Sequence, residues 1–484
     1  MKSRRSLLAW STGAVMALGC GGEADSPRGG LATEATSPRP VTMSQAQTGT
    51  NLVPMLVKDI WPGPTSSGKY FLMTAVNGTL FLVADDGVSG KELWKSDGTG
   101  AGTVLVKEFS IPGYINTEPR LLTNVEGTLF FTAGDLTYGR ELWKSDGTEA
   151  GTVLVKDVFP GSNGYDINSP RSINGKLYFS AYAPNHSLLE SDGTAAGTRV
   201  IKEICCNFAT SMTGVGSQVF FVAAASGYGE ELWKTDGTSA GTVMVKDIRP
   251  GSMGSSPMEM TELNGTLYFS ALTDTNGREL WKSDGTAAGT VMIKDIQSGD
   301  STPNQLLTMD GTLYFTATGA STGRELWKTD GTAAGTVVIK DIQPGSVGST
   351  PTGLVRAGNG TFYFAAWDST LGTELWKSDG TAAGTVRVKD IRPGSGNSSP
   401  TQLRVINGVL YFLADDGVHG QEWWMSDGTE AGTVLIADLI PGTGTASIAD
   451  VTVVGDKLFF TAKDGVHGVE LWRLAPAVSP ALSP

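Results

Sequence analysis

"GRELWKSDGTAAGTVMIKDI", residues 277–296, decides the fold. Two short apolar runs, "ELW" and "TVMI", flank an Asp-Gly turn and a second Gly-Thr pair, so the stretch reads as two strands joined by a tight turn. Upstream, "GSSPMEMTELNG" (254–265) ends in another strand and an Asn-Gly turn, and "TLYFSA" (266–271) continues it as a hairpin. The whole segment is therefore four antiparallel strands in sequence.

The same segment recurs along the chain, and a long-period repeat fixes the architecture before any single element does. The tryptophan of "ELW" returns at Trp94, Trp143, Trp233, Trp281, Trp327, Trp376, Trp424 and Trp472, with Leu189 in its place in "HSLLESDGT". The aspartate that follows returns at Asp97, Asp146, Asp192, Asp236, Asp284, Asp330, Asp379 and Asp427, at intervals of 44 to 49 residues. Nine units result, each the size of a four-stranded propeller blade. The ninth stops after "ELWRL" (470–474) and lacks a fourth strand, whereas "MLVKDIWPG" (55–63) is a fourth strand with no unit before it. Pairing the two would hide both edges. The expected fold is all-β, one closed nine-bladed ring whose N-terminal strand completes the last blade. Irregular closure, two smaller rings and an open array are the alternatives, because nine blades exceed the usual range of about 4 to 8.

Composition agrees with this reading. The 484 residues include 64 glycines, and no long stretch has the apolar period of a helix. A net charge of −13 argues against a nucleic-acid partner, which requires clustered Lys and Arg.

The first residues, "MKSRRSLLAWSTGAVMALGCGG", combine Lys2, Arg4 and Arg5 with an apolar core from Leu7 to Leu18. That is the layout of an export signal, too short for a membrane span. "ALGC" resembles a lipoprotein cleavage site with Cys20 as the lipidated residue, though Ala17 stands where Leu is usual. "SRRSLL" resembles a twin-arginine signal, with Leu7 in place of Phe. The organisation read from these features is a signal over 1–20, a Pro/Ser/Thr/Gly-rich tether over 21–50, a repeat domain over 51–475 and a tail over 476–484. Cys205 and Cys206 are adjacent and form either a strained vicinal disulfide or two free thiols.

Repetition bears on chemistry. A catalytic acid is needed once or twice, so eight copies of the "SDGT" aspartate point to turn geometry: Asp accepting amides two residues on, Gly285 at positive φ, and Thr286 and Thr290 satisfying further turn amides. The tryptophans suit the gap between blades. The Lys and Asp of "VKDI" read as solvated or cross-strand charges.

These residues closely resemble the ELWxxDGT, or hyalin-like, repeat of bacterial secreted and surface proteins, over about residues 52–475. "ELWKSDGT" is intact at 92–99, 141–148, 279–286 and 374–381, and "ELWKTDGT" stands at 231–238 and 325–332. The departures are Leu188, Leu189 and Glu190 in the third unit, which is expected to be distorted, and "EWWMSDGT" (422–429) in the eighth. The family supplies no catalytic motif to transfer. The "SDGT" turn also resembles the Asp-box hairpin of sialidase-like propellers, but the spacing differs and no arginine cluster accompanies it.

Strand alternation puts the second-to-third loops and the connections between blades on one rim, where residues vary, and the near-constant "NG" and "DGTxxGT" turns on the other. Loops on a rigid frame are where binding usually resides. Tyr138, Tyr228 and Trp367 are the rim aromatics suited to stacking on a sugar or contacting a protein, and His419 and His467 occupy equivalent positions in neighbouring units. "DDGVSG" (85–90) and "DDGVHG" (415–420) lack the full calcium-loop pattern, and no set of three or four ligands accompanies the histidines, so no metal or other cofactor is expected, with calcium as the alternative. No "GxSxG" or Cys–His pairing marks a nucleophile. The sequence thus predicts a non-catalytic, exported, lipid-anchored scaffold that binds carbohydrate or an envelope or extracellular protein at the bacterial outer membrane or cell surface, with a periplasmic or secreted protein as the alternative location. The alternatives are a glycan-active enzyme using rim acids such as Asp135, Asp274 and Asp368, or a purely structural envelope protein.

Overall fold

A computed structural model describes residues 52–476 except 68–71, 110–116, 159, 161–165 and 183–184. The expected signal, Cys20, the tether and all but the first residue of the tail lie outside the described residues. The rest is β-structure throughout, arranged as nine four-stranded antiparallel sheets. In the fifth blade the strands are Met258–Leu263, Thr266–Thr273, Gly277–Ser283 and Val291–Lys294, in spatial as well as chain order. Its Asn264 and Gly265 have φ of +51° and +77°, the left-handed pair that a two-residue hairpin requires.

The ring closes as the unpaired ends of the repeat require. Leu52–Lys58 is the fourth strand of the ninth blade, antiparallel to Glu470–Pro476, with Leu52 opposite Pro476 and Leu56 opposite Trp472. Each first strand packs against the first strands of the blades on both sides, and that of the first blade, Met73–Val76, meets that of the ninth, Ala449–Val454. From the second blade to the ninth, the first strand carries a bulge near its start. In the fifth the bulge holds Glu259 at φ +57°, and such a bulge bends the strand.

The core is a set of layers between blades. Along Thr266–Thr273, Leu267, Phe269 and Ala271 pack with Phe220 and Leu232 of the fourth blade, whereas Tyr268 packs with Leu313 and Phe315 of the sixth. Both faces of a second strand are thus covered, and the period-two pattern becomes continuously apolar. Trp281 lies in the layer between the fourth and fifth blades, beside Val245 and Ile248. Trp94, Trp143, Trp233, Trp327, Trp376, Trp424 and Trp472 sit likewise, each against the preceding blade.

The third blade is regular, contrary to expectation. Leu189, fully buried against Phe130 and Leu142, fills the tryptophan's place, and the strands pair in the usual register. Pairing also relocates the departures: Leu188 opposite Lys202 matches Leu280 opposite Lys294, so Leu188 is the ordinary leucine and Ser187 replaces the glutamate.

Candidate functional site: the variable rim

The constant rim shows how much repeated chemistry the frame itself absorbs. In the fifth blade Asp284 Oδ1 accepts the Thr286 amide (2.8 Å) and hydroxyl (2.7 Å), and these bonds hold its carboxyl below the usual range. Ser283 Oγ accepts the Gly285 amide, Thr286 Oγ1 accepts the Gly289 amide, and Gly285 has φ +89°. Thr290 departs from expectation: its hydroxyl donates to the Thr286 carbonyl and pairs with Ser283 Oγ. The lysines of "VKDI" are corrected too. Lys246 reaches the Thr290 carbonyl of the next blade (2.7 Å) and lies over the Trp281 ring, and Lys58, Lys156, Lys202, Lys294, Lys340 and Lys389 make the same crossing. The lysine of "ELWK" makes a second strap, as from Lys282 to the Gly331 carbonyl at 2.8 Å. A shallow groove on this rim, between the first two blades, is lined by Asn77, Phe81, Lys95 and Asp146, the last already engaged with Thr148.

The opposite rim is built on a residue that sequence reasoning passed over, the glutamate of "ELW". Glu92, Glu141, Glu231, Glu279, Glu325, Glu374, Glu422 and Glu470 are all fully buried. Glu231 accepts the Ile248 and Arg249 amides and both the amide and hydroxyl of Ser255, fastening the connection that leads to the next blade. Glu279 with Ser301, Glu325 with Ser349, Glu374 with Ser398 and Glu470 with Ser67 repeat this clamp. Burial pushes the carboxyls of Glu279 and Glu374 up to about 7 despite these donors. The signal was an acid flanked by residues that bury on both faces, together with a serine or threonine three residues before the first strands of the second, fifth, sixth, seventh and eighth blades, at Thr117, Ser255, Ser301, Ser349 and Ser398.

The clamped connections touch the second-to-third loops, so both lie on one rim. A Cβ on Gly229 would meet the backbone of Met253 and Gly254. The residue after the isoleucine of "DI" reaches the next blade's loop: Arg249 pairs with Asp274, Arg392 pairs with Asp415, Gln343 accepts the Ser369 amide, and the Trp61 ring covers Gly87. This position differs from unit to unit, and only the fold reveals that it bridges blades.

Most of the anticipated rim residues lie here, in different states. Tyr138 and Tyr228 are exposed, at 38% and 43%. Trp367 belongs to the strand Phe362–Asp368, paired with Thr373 and partly buried, and is not a loop residue. His419 and His467 donate their amides to Asp416 and Asp464 and place Nδ1 2.7 and 2.8 Å from the same carboxylates, which raises their pKa. Asp135 caps the Thr137 and Tyr138 amides, Asp368 caps Thr370 and Leu371, and Asp274 is paired with Arg249. Each acid serves its own turn or a neighbouring cation. Among the described residues no group of three or more His, Cys, Asp or Glu could hold a metal. Cys205 and Cys206 are free, exposed thiols, without the bridge held open as one reading.

The loops also expose aliphatic tips. Val418, Val466 and Val88 stand at equivalent points of the eighth, ninth and first blades, exposed by 61%, 70% and 91%, and Leu136 follows in the second. Asp416, Asp464 and Asp86, which cap these valine loops, have lowered pKa values and stay ionised. The arc is apolar at its tips and acidic at its base.

No protein-family model matches the chain, and no curated protein matches it. Among solved structures, a computationally designed protein is 13% identical, with 75% of this chain and 97% of that one covered and a TM-score of 0.41. A puromycin hydrolase is 14% identical, with 74% of this chain and 60% of that one covered, TM-score 0.38. A prolyl endopeptidase is 10% identical, with 71% and 54% covered, TM-score 0.41. The chain thus spans 60% and 54% of these two peptidases. Likenesses of this size say nothing about activity.

Proposed function

We propose that the protein is an exported binding scaffold of the ELWxxDGT-repeat type, tethered through a lipidated Cys20, whose variable rim holds a partner at the cell surface. The supporting observation is polarity. Leu458 pairs with Leu474 beside the constant-rim turn, and Leu52 pairs with Pro476, so both ends of the described residues lie at the constant rim. The exposed tips Val88, Val418 and Val466 crown the other rim. Attachment through these ends would leave the opposite rim free for contact. Aliphatic tips favour a protein partner from the envelope or outside the cell; the exposed rings of Tyr138 and Tyr228 favour a carbohydrate as the second reading.

The test is saturable binding of the purified full chain to envelope proteins and to a glycan array, with turnover of the glycans recorded. Binding lost in Val88→Asp, Val418→Asp and Val466→Asp supports the protein reading, and binding lost in Tyr138→Ala and Tyr228→Ala supports the carbohydrate reading. Binding indifferent to every rim substitution, or no binding, overturns the proposal, and glycan turnover replaces it with the enzyme.

A further inference from the structure

The connection from the third blade to the fourth is unlike the others. Pairing places Thr210 opposite Val222 as it places Met258 opposite Ser270, so Asn207 stands where the clamp has Ser255. Ser187 stands where it has Glu231. Both halves of the clamp have changed together. Asn207 replaces it with Oδ1 accepting the Ala224 amide at 2.8 Å and Nδ2 donating to Glu230 at 2.6 Å. On the other side the Ile204 amide donates to the His186 carbonyl at 2.6 Å, and Phe208 meets the His186 ring edge-on.

Between those two anchors the chain is reduced to its minimum. Residues 249–254 separate Ile248 from Ser255, but only Cys205 and Cys206 separate Ile204 from Asn207. The whole connection is therefore the two cysteines, both exposed, with the Cys205 thiol donating to the Ala224 carbonyl at 3.9 Å. They are the only cysteines among the described residues. Each thiol's intramolecular partner is fixed by the fold.

We propose that Cys205 and Cys206 form a thiol–disulfide exchange site for low-molecular-weight disulfides and thiols, closing reversibly to a vicinal bridge. One thiolate of the pair attacks a small disulfide RSSR, forming a mixed disulfide and releasing RS⁻. The neighbouring thiolate attacks the protein-side sulfur, the S–S bond between the cysteines forms, and the second RS⁻ leaves. The pair loses two electrons, RSSR gains them, and the two thiol protons end on two RSH. Adjacent α-carbons lie about 3.8 Å apart, short of the roughly 4.4 to 6.8 Å that a relaxed bridge prefers, so the closed form is strained and readily reduced. Exposure admits the small reagent from the rim side. The cysteines lie on the variable rim, but their chemistry needs no bound partner and survives the failure of that proposal.

The experiment exposes the reduced full chain to oxidised glutathione, blocks remaining thiols with N-ethylmaleimide at low pH, and maps the peptide carrying both cysteines by mass spectrometry. The expected product has lost two hydrogens, carries neither glutathione nor maleimide, and returns to two alkylatable thiols under mild dithiothreitol. Cys205→Ser and Cys206→Ser are each expected to stop at a single glutathione adduct. Two adducts on the wild-type peptide, disulfide-linked dimers through these cysteines, or two unreacted thiols overturn the proposal.

Discussion

Blades seven and eight share one architecture but are fastened differently to the next blade in the ring. In blade seven, Glu374 accepts the Ile391 amide and the Ser398 hydroxyl, Lys377 reaches the Gly428 carbonyl, and Lys389 reaches the Thr433 carbonyl. In blade eight, Ala446 stands at the serine's place, Met425 and Ala437 replace the two lysines, and Trp423 replaces Leu375. The loss of the lysines has a plain cause. Their acceptors lie in the turn between a blade's third and fourth strands, and blade nine draws its fourth strand from the other end of the chain. The seam that closes the ring therefore relies on apolar bulk where other seams add polar straps.

The largest break in this comparison is expected from Trp423→Ala. The side chain is fully buried, its ring meets Phe460 at 5.3 Å, and the layer around it includes Leu413, Leu458 and Trp472. Truncation should cost about 3 to 5 kcal/mol in urea unfolding. Because Leu52 and Leu56 pack against this same layer, protease cleavage should begin near Leu52–Lys58, the strand that the other end of the chain contributes to the ninth blade. A loss under about 1 kcal/mol would mean that the seam does not depend on this ring.

A smaller contrast lies in the clamp. Glu422 is fully buried and neither carboxyl oxygen has a hydrogen-bond partner; the Leu439 and Ile440 amides face it without closing a bond. Burial, with Asp438 adding to it and His419 opposing, pushes its carboxyl up to about 7. Between the ordinary carboxyl value of about 4.3 and about 7, the folded state keeps a proton that the unfolded state has released. Stability falls as pH rises through that window, and the penalty is complete above about 7. Ala446→Ser should restore the hydroxyl donor and stabilise by about 1 kcal/mol at pH 8, with less gain at pH 5. Ser398→Ala should destabilise by about 1 to 3 kcal/mol in the same direction of pH. Thermal unfolding at both pH values is the measurement, and Glu422→Gln should flatten the slope. A slope unchanged by Glu422→Gln would place the titration elsewhere.

The blade count and closure were legible because they rest on spacing and on the two unpaired ends, which no packing detail can alter. The tryptophan layer and the "SDGT" turn were legible because apolar bulk and Asx-turn chemistry act locally. The Glu–Ser clamp was not, since Glu279 and Ser301 lie 22 residues apart and a buried carboxylate looks, in a string of letters, like any surface acid. The "VKDI" lysine was misjudged for the same reason: its acceptor, such as Thr290 for Lys246, lies a whole unit away. Leu189 shows the converse. A departure that looked disruptive is absorbed because a layer of Phe130, Leu142 and Val155 needs apolar volume more than an indole.

The finest distinction is whether a strap lysine acts through the turn carbonyl it touches. Lys377 is partly buried and donates to Gly428 at 2.9 Å; Lys377→Met should cost a few tenths to about 1 kcal/mol. The reverse substitution in the next blade, Met425→Lys, should change stability by less than about 0.5 kcal/mol, because the ninth blade offers no "SDGT" carbonyl to receive the ammonium. The expected effects are asymmetric although the two sites occupy the same register, Lys377 opposite Tyr363 and Met425 opposite Tyr411. Equal and opposite effects in urea unfolding would show that the lysine's stem, packed against that tyrosine, stabilises the seam in place of its charge. Unequal effects would tie the choice of Met425 to the missing turn, and hence the local sequence of one blade to the way its neighbour is assembled.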